Sequence, residues 1–237
     1  MFTNLTVIIP CKNEESYIAK TLRSLKKQIG SEDFRIIIAD ADSTDRTIEV
    51  IKEKSHTLNL DVTITRGGSA ARGRNNGAEL SKTKYILFLD ADTTFTRNDA
   101  IYDCLKKIKS GKYDCISTNP VYFGEYDPLA KFLFFINRLS TWVLSKKHPF
   151  AIGAFTMITT KKFFILGGYD ESAMHTEDWL LSKRIDPKRF LIVPNLITQD
   201  NRRFKRYGYF RMINLMAKNF INRNNYSYFL RDQNYWT

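Results

Sequence analysis

One stretch of the sequence points to the architecture: Lys84-Tyr85-Ile86-Leu87-Phe88-Leu89-Asp90-Ala91-Asp92-Thr93. Its apolar part, residues 85–89, is rich in β-branched and aromatic side chains and predicts a buried strand. The strand ends in two carboxylates, Asp90 and Asp92, at the position where open α/β sheets bind their ligands. Because Mg²⁺ commonly takes one or two carboxylates together with substrate phosphates, the pair predicts a metal-assisted site for a phosphorylated substrate. The alternative is a strand followed by an aspartate that caps a turn.

Strand and helix patterns alternate on both sides of this stretch. Strands are predicted at residues 5–9, 34–39, 61–65, 85–89 and 114–117. Helices are predicted between them at residues 14–28, 45–54, 70–80 and 98–109. This alternation predicts an α/β fold with a mainly parallel sheet and helices on both of its faces. Right-handed crossovers would then bring the carboxyl ends of the strands to one edge.

The pattern changes after Pro120, where large apolar residues at helical spacing predict an amphipathic helix over residues 129–143. No acidic residue occurs from 128 through 168, so this helix is basic. It either lies at a membrane interface or covers the sheet, and we favour the helix that covers the sheet. The remaining patterns predict strands at 151–159 and 190–193, helices at 161–166 and 176–185, and a second basic amphipathic helix at 204–221.

The composition excludes several classes of protein. With 237 residues, 43% hydrophobic and 14% aromatic, the chain can bury a core as one domain or a tight pair, which excludes disorder. Its three cysteines are dispersed and form no CxxC, so neither a disulfide framework nor a zinc site is indicated. The chain opens on a strand pattern, and no window of about 18 apolar residues predicts a membrane span. We therefore expect a cytoplasmic protein, with peripheral attachment to the cytoplasmic membrane face as the alternative.

The net charge is strongly positive and unevenly distributed. The chain has 37 Lys and Arg against 25 Asp and Glu, a formal charge of +12. Of this excess, +7 lies in residues 201–237, which we assign to a basic helical extension that follows a main domain of residues 1–200. A basic end can face anionic lipid, nucleic acid or a phosphorylated substrate. The ordered acidic clusters of the main domain argue against nucleic acid.

Two further acidic clusters accompany the pair at Asp90 and Asp92. Asp40 follows the apolar run 36–38 and can accept a hydrogen bond from a base or a ribose, whereas Asp45 is a helix cap. Glu177-Asp178 begins a predicted helix. Between the first two clusters, the glycines and arginines of residues 66–78 suit anion binding at a helix start. The fingerprints GxxxxGKS/T and GxGxxG are missing, which argues against P-loop and Rossmann sites.

The order of these pieces resembles the family 2 glycosyltransferases. The resemblance implies the GT-A fold, a three-layer α/β/α sandwich with a mainly parallel mixed sheet, over roughly residues 5 to 210. It implies a nucleotide-binding half of about residues 1–120 and an acceptor half of about 121–200. The motifs that carry it are VIIPCKNEE at 7–15, ADADSTDRT at 39–47, ARGRNNGA at 71–78, LDAD at 89–92, GGYDE at 167–171 and EDWLLSKR at 177–184.

The resemblance also implies roles for single residues. Pro10 and Glu14 would shape the nucleotide pocket, Asp40 would contact the base or ribose, and Arg74 would approach the diphosphate or the sugar. Asp90-Ala91-Asp92 matches the family's DxD motif, in which the second aspartate binds Mg²⁺ or Mn²⁺. Asp178 would be the general base. Further candidates from the same motifs are Arg72, Asn75, Glu177 and Arg184.

The sequence departs from the family pattern at two places. Asp42 stands where a glycine is common, so the loop there can differ. The QxxRW motif of the processive members is missing, and its nearest analogue is Arg202-Arg203, which resembles a branch of short members.

The sequence therefore predicts an inverting, metal-dependent transferase that moves a sugar from a UDP- or GDP-sugar to an acceptor hydroxyl. A metal at Asp92 would neutralise the leaving diphosphate, and Asp178 would deprotonate the acceptor. The acceptor would be a glycan or a lipid-linked molecule, the second of these at an anionic membrane surface. A polyprenyl-phosphate sugar synthase, a nucleotidyltransferase of similar fold and a non-catalytic nucleic-acid- or lipid-binding protein are the alternatives.

Overall fold

The computed structural model describes residues 4–124 and 126–231, without the side chains of Trp142 and Arg203. Within them, eight strands form one sheet in the order β3-β2-β1-β4-β7-β6-β8-β5. β5 and β7 run antiparallel to their neighbours and the other six strands are parallel, which confirms the predicted α/β fold with a mixed, mostly parallel sheet. The strands are β1 (Leu5–Cys11), β2 (Arg35–Asp40), β3 (Asp61–Arg66), β4 (Tyr85–Leu89), β5 (Thr94–Phe95), β6 (Cys115–Tyr122), β7 (Phe155–Thr159) and β8 (Phe190–Gln199).

Helices cover both faces of the sheet. Apolar side chains of α1, α2 and α4 pack in one core cluster, and those of α3, α6 and α7 pack in another on the opposite face. The helices are α1 (Ile18–Lys26), α2 (Thr47–Thr57), α3 (Ala70–Glu79), α4 (Ala100–Lys109), α5 (Pro128–Leu144), α6 (Thr160–Ile165), α7 (Glu177–Ser182), α8 (Arg202–Tyr207), α9 (Tyr209–Ile221) and α10 (Tyr226–Phe229).

The position of β4 within the sheet explains why its sequence is continuously apolar. Successive side chains of a strand point to opposite faces, so Leu87 and Leu89 enter one core cluster while Ile86 and Phe88 enter the other. All five residues of β4 are buried, because this strand lies in the middle of a sheet that is covered on both faces. β1 and β2 show the same alternation. The strands β2, β1 and β4 lie side by side and are parallel, so their carboxyl ends lie at one edge of the sheet.

The observed elements depart from the predicted ones in several bounds, and three of the differences concern one helix, one strand and one element that was not predicted. The helix predicted at 204–221 is wrong as a single helix, because Gly208 takes a φ of 83° and divides it into α8 and α9. The strand predicted at 190–193 continues to Gln199, past Pro194, since the pairing of β6 with β8 shifts register between Asn119 and Val121. β5 has only two residues, too few for a pattern, and was not predicted.

α5 packs on the sheet, as we favoured, but most of its large apolar side chains do not face the sheet. The helix contacts β6, and among its described side chains the buried ones are Ala130 and Thr141, followed by Ser145 just after its end. Thr141 donates a hydrogen bond from Oγ1 to Oδ1 of Asn119 in β6 at 2.8 Å, and these small side chains let the helix approach the strand. The large apolar side chains that were expected to cover the sheet are exposed instead: Leu129, Phe132, Phe135, Ile136, Leu139 and Val143. Trp142, which belongs to the predicted apolar stripe, has a side chain outside the described residues.

Candidate active site

The loops that follow β1 and β2 form one wall of the candidate site. The backbone N–H of Asn13 donates to Oγ of Ser43 at 2.9 Å, and Oδ1 of Asn13 accepts from the N–H of Thr44 at 2.8 Å. Glu14 is held by its own N–H, which donates to Oγ1 of Thr47 at 2.7 Å. These bonds between the two loops fix Glu14, just beyond Pro10 at the end of β1, beside the end of β2.

Asp40 ends β2 and closes its own loop. Its Oδ2 accepts from the N–H of Ser43 at 3.0 Å, and its Oδ1 accepts from Oγ of Ser43 at 2.5 Å. Asp42 has a φ of 56°, in the left-handed region that glycine favours and that Asp tolerates, so the loop at this position suits either residue. Gly67, after β3, lies so close that a Cβ there would meet the carbonyl carbon of Asp40 at 2.7 Å.

Arg74 joins the end of β4 to the start of α7. It is buried, with 3% of its side chain exposed, and donates from Nη2 to Oδ1 of Asp90 at 2.9 Å and from Nη1 to Oε1 of Glu177 at 2.6 Å. Burial alone would lower the pKa of Arg74, but the negative charges of Asp90 and Glu177 outweigh it and hold the pKa above its usual value. The guanidinium therefore stays charged and brings two motifs that are far apart in the sequence to one place.

Two residues that were not predicted as site residues, Tyr169 and Gly153, lie next to this guanidinium. Its carbon atom lies 5.3 Å from the ring centroid of Tyr169. A Cβ added at Gly153 would lie 2.6 Å from Nη2 of Arg74, so a larger residue there would displace the guanidinium from its present position. Tyr169 belongs to the GGYDE motif and could have been found there, whereas Gly153 lies in no motif that the sequence marks.

Asp178 lies next to this network at the start of α7. Its Oδ2 accepts from the N–H of Gly153 at 2.9 Å and its Oδ1 from the N–H of Trp179 at 2.7 Å. Burial raises the pKa of Asp178, and the charge of Glu177 raises it further, against the opposing effects of Arg74 and the two N–H groups. The preceding residue, Thr176, has a φ of 61°, a conformation that costs a non-glycine residue about 1 kcal/mol or more and is concentrated at functional sites.

The opposite side of the site is formed by Arg202, at the start of α8. Its Nη1 and Nη2 donate to the two carboxylate oxygens of Glu14 at 3.1 and 3.0 Å, and Nη2 lies 2.5 Å from Oδ2 of Asp92. The guanidinium carbon also lies 4.4 Å from the ring centroid of Tyr17. Burial alone would lower the pKa of Arg202, but Glu14 and Asp92 raise it above its usual value. A cationic group thus stands beside Asp92.

Asp92 fits a divalent cation that is shared with a substrate. Among the described residues, no group of three or more His, Cys, Asp and Glu side chains could hold a metal ion by itself. Mg²⁺ often takes only one or two carboxylates and completes its shell with phosphate oxygens and water. The carboxylate of Asp92 supplies such an oxygen donor, and the position of Arg202 shows that the surroundings accept positive charge.

The other predicted residues lie outside this cluster. Arg72 pairs with Glu171 on the surface at 3.0 Å, and Asn75 holds the backbone of Tyr169 and the carboxylate of Glu171. Arg184 donates to the backbone carbonyls of Leu166, Gly168 and Leu180, which are contacts that brace the loop before α7. The side chain of Arg203 lies outside the described residues.

The sequence was compared with protein-family models and with characterised proteins. It matches the model of Glycosyl transferase family 2 over residues 6–164. It is similar to the 4,4'-diaponeurosporenoate glycosyltransferase of Staphylococcus haemolyticus, with 26% identity over 184 residues, 73% of this chain and 48% of that protein. It is 33% identical over 90 residues to the poly(ribitol-phosphate) beta-N-acetylglucosaminyltransferase TarS of Staphylococcus aureus, 37% of this chain and 16% of that protein. The chain thus spans about half the length of the first relative and less of the second.

Solved structures share the fold. Residues 1–349 of S. aureus TarS in complex with UDP-GlcNAc give a TM-score of 0.63 at 19% identity, covering 83% of this chain and 58% of that one. The mannosyltransferase PcManGT from Pyrobaculum calidifontis, in complex with GDP-Man and Mn²⁺, gives 0.66 at 17% identity, covering 83% and 56%. This similarity confirms the predicted GT-A fold. Because the family model matches more than half of its 237 residues, the chain belongs to glycosyl transferase family 2.

Proposed function

We propose that this chain is an inverting, metal-dependent glycosyltransferase that moves a sugar from a UDP- or GDP-sugar to an acceptor hydroxyl. The observation that carries the proposal is the buried ion-pair network in which Arg74 links Asp90, at the end of β4, to Glu177, beside Asp178. This link supports the proposal, because it joins Asp90 of the proposed DxD motif to the residue that precedes the proposed base. Family membership supports the reaction class.

The donor would occupy the edge formed by the ends of β1, β2 and β4. Pro10 and Glu14 would shape the nucleotide pocket, and Asp40 would contact the base or the ribose. Asp92 would hold Mg²⁺ or Mn²⁺, which when bound neutralises the charge of the leaving diphosphate. Arg202 would have to release Asp92 as the cation and the diphosphate enter, and its guanidinium could then pair with a phosphate.

Asp178 would act as the general base. Its carboxylate takes the proton of the acceptor hydroxyl while the hydroxyl oxygen forms a bond to the anomeric carbon of the sugar. The bond from that carbon to the nucleoside diphosphate breaks, and the diphosphate leaves with the electron pair. One displacement from the face opposite the leaving group inverts the configuration. General base catalysis of this kind contributes about 10²–10⁴-fold.

The ligands and the names of the similar proteins suggest the classes of donor and acceptor that we propose for this chain. The two solved structures contain UDP-GlcNAc and GDP-Man with Mn²⁺. The names of the relatives point to poly(ribitol-phosphate) and to 4,4'-diaponeurosporenoate as their acceptors. For this chain we propose a glycan or lipid-linked acceptor. We also propose that residues 1–120 bind the donor, that residues 121–200 meet the acceptor, and that 201–237 form a basic extension.

A thermal-shift panel tests the proposal. The protein is heated with each of a set of UDP- and GDP-sugars, with and without Mn²⁺. A ligand that binds only the folded state raises the melting temperature by mass action, so one class of sugar nucleotide should raise it, and more so with Mn²⁺. No shift with any sugar nucleotide would refute the donor assignment. Release of pyrophosphate instead of UDP or GDP would identify a nucleotidyltransferase.

A further inference from the structure

α5 exposes a continuous apolar stripe to solvent. Its members recur at helical spacing from Leu129 to Val143, and Phe132 has 58% of its surface exposed. α9 exposes a second stripe in the same way, from Phe210, which is 86% exposed, to Phe220. Exposed large apolar residues are ordinary when they are scattered, but contiguous apolar patches mark interaction sites. We call the exposed sides of α5 and α9 together the apolar face.

The carboxylate of Asp127 joins the N-termini of the two helices that carry the apolar face. Asp127 caps α5 by accepting from the N–H of Ala130 at 2.9 Å. The same carboxylate accepts from Nδ2 of Asn201, before α8, at 2.6 Å and from the hydroxyl of Tyr209, the first residue of α9. The ring of Phe134, on the inner side of α5, lies 6.4 Å from that of Phe204 in α8.

The formal net charge of the chain comes from the two segments that contain α5 and α9. Residues 128–148 and 201–231 contain twelve of the 37 Lys and Arg residues and none of the 25 Asp and Glu residues. The other residues of the chain carry 25 basic and 25 acidic side chains and are neutral as a group. The formal excess of +12 therefore lies in the segments that contain the apolar face, although Arg202 among these residues faces the candidate site. Lys131 in α5 and Lys218 in α9 are exposed, and Nζ of Lys131 lies 4.9 Å from the ring centroid of Tyr126.

We propose that the apolar face docks on an anionic lipid bilayer, with α5 and α9 lying along the membrane surface. Apolar and aromatic side chains beside lysine and arginine are the composition of interfacial helices, which bury one side in the headgroup region. Negatively charged lipid attracts each surface cation by about 1 kcal/mol. A second copy of this chain is a poorer occupant, because it would bring two strongly basic surfaces together. None of the described helices is both long and apolar enough to cross a bilayer.

The docking surface adjoins the candidate site. Arg202, at the start of α8, contacts Glu14 and Asp92, while the next helix, α9, carries Phe210. A bilayer at the apolar face would thus lie near the site, where a lipid-linked acceptor hydroxyl could reach Asp178. The docking surface stands on its own observations, whereas this statement about the acceptor rests on the proposed function.

Vesicle cosedimentation of the full chain tests the docking. The protein is sedimented with vesicles of phosphatidylcholine alone and with vesicles that contain 30% phosphatidylglycerol, at low and at high salt. We expect binding to the anionic vesicles at low salt, weak binding to the neutral ones, and release as salt shortens the screening length. Phe132→Ser and Phe210→Ser should each weaken the binding about tenfold, since each removes a large apolar side chain from the interface.

Matched variants control for loss of the fold and for general loss of charge. Ile165→Ser removes a side chain that is 66% exposed in α6, away from the apolar face, and should leave vesicle binding unchanged. Lys131→Gln with Lys218→Gln should weaken binding about fivefold for each charge, whereas the exposed pair Lys52→Gln with Lys106→Gln should weaken it less.

Three results would overturn the docking. They are no binding to anionic vesicles at low salt, equal loss of binding in the apolar-face and control variants, and a dimer in analytical ultracentrifugation that Phe132→Ser dissociates. The thermal shift with sugar nucleotides is measured on the same variants and should not change. Absence of vesicle binding by the unaltered chain, with an intact nucleotide shift, therefore counts against this inference alone, and a missing nucleotide shift in the unaltered chain counts against the proposed function alone.

Discussion

Two regions of this protein use apolar helix faces in opposite ways. In the first, comprising β1–β4 and α1–α4, the apolar stripes point into the sheet, as Leu22 and Leu25 of α1 do. In the second, comprising α5, α8 and α9, the stripes of α5 and α9 point to solvent, while Thr141 and Phe134 lie on the inner side of α5. The first region contains the buried ion pair of Arg74 with Asp90, whereas the segments that contain the second region, residues 128–148 and 201–231, carry twelve basic residues and no acidic one. Helical periodicity shows which residues share a face but leaves the direction of that face open.

The largest expected effect concerns the chemistry that the first region supports. Asp178→Asn removes the proton acceptor and keeps one side-chain oxygen, which can accept from the N–H of Gly153 or of Trp179 but not from both. Turnover should fall about 10²–10⁴-fold with nucleotide affinity nearly unchanged. Steady-state rates and a nucleotide titration measure both, and Asp186→Asn, an exposed carboxyl, serves as the control. Near-normal turnover would remove Asp178 as the base.

Arg74 forms buried ion pairs and Arg72 forms an exposed one, so variants of the two residues should differ in stability. Arg74→Met leaves Asp90 and Glu177 without their shared cation, so the free energy of unfolding should fall by about 3–5 kcal/mol. Arg72→Met, two residues along the same helix, breaks only an exposed pair with Glu171 and should cost less than about 1 kcal/mol. Urea unfolding measures both. Equal losses of unfolding free energy in the two variants would contradict a stabilising role of the buried ion pairs of Arg74.

The aromatic side chains give the most direct contrast between the regions. Phe88→Ala empties a buried position in β4, packed against Phe163 and Tyr169, and should destabilise the fold by about 3–5 kcal/mol. Phe132→Ala on the exposed side of α5 should change stability by no more than about 0.5 kcal/mol. Thermal or urea unfolding checks the pair. A large loss with Phe132→Ala would show that the stripe of α5 is covered in the free protein.

The pH dependence of turnover should reveal the environment of Asp178. Burial and the neighbouring Glu177 raise the pKa of Asp178 to about 7. A general base acts only when it is deprotonated, so kcat/KM should fall about tenfold for each pH unit below this pKa and level off above it. Rates from pH 5 to 9 measure the profile. A profile that stays flat down to pH 5 would contradict the raised pKa.

Much of the first region could be predicted because its constraints are local. A strand that is buried on both faces must be apolar throughout, as β4 is, and parallel strands end at one edge, which gathers Asp40, Asp90 and Asp92. The partners of Arg74 are harder to predict from the sequence, since Glu177 lies 103 positions away. The need for a small residue at Gly153 also depends on a tertiary contact, the close approach of the Arg74 guanidinium.

The second region was predicted less well because its constraints depend on tertiary contacts. The spacing of residues 129–143 is correct for a helix, yet a polar residue of β6, Asn119, determines that Thr141 faces inward. Gly208 is one glycine inside an otherwise helical pattern, and only its φ shows that the chain turns there. The contact of Arg202 with Glu14 spans 188 positions, and no local pattern indicates it.

Binding of a sugar nucleotide to Asp92 through a divalent cation is the central claim, and calorimetric titration tests it most directly. UDP- and GDP-sugars are titrated with and without Mn²⁺ into the unaltered chain, into Asp92→Ala, and into Asp99→Ala as an exposed control. We predict that Mn²⁺ increases the affinity for one of these nucleotides, that Asp92→Ala abolishes the increase, and that Asp99→Ala retains it. Affinities that are the same with and without Mn²⁺ in the unaltered chain would contradict the account.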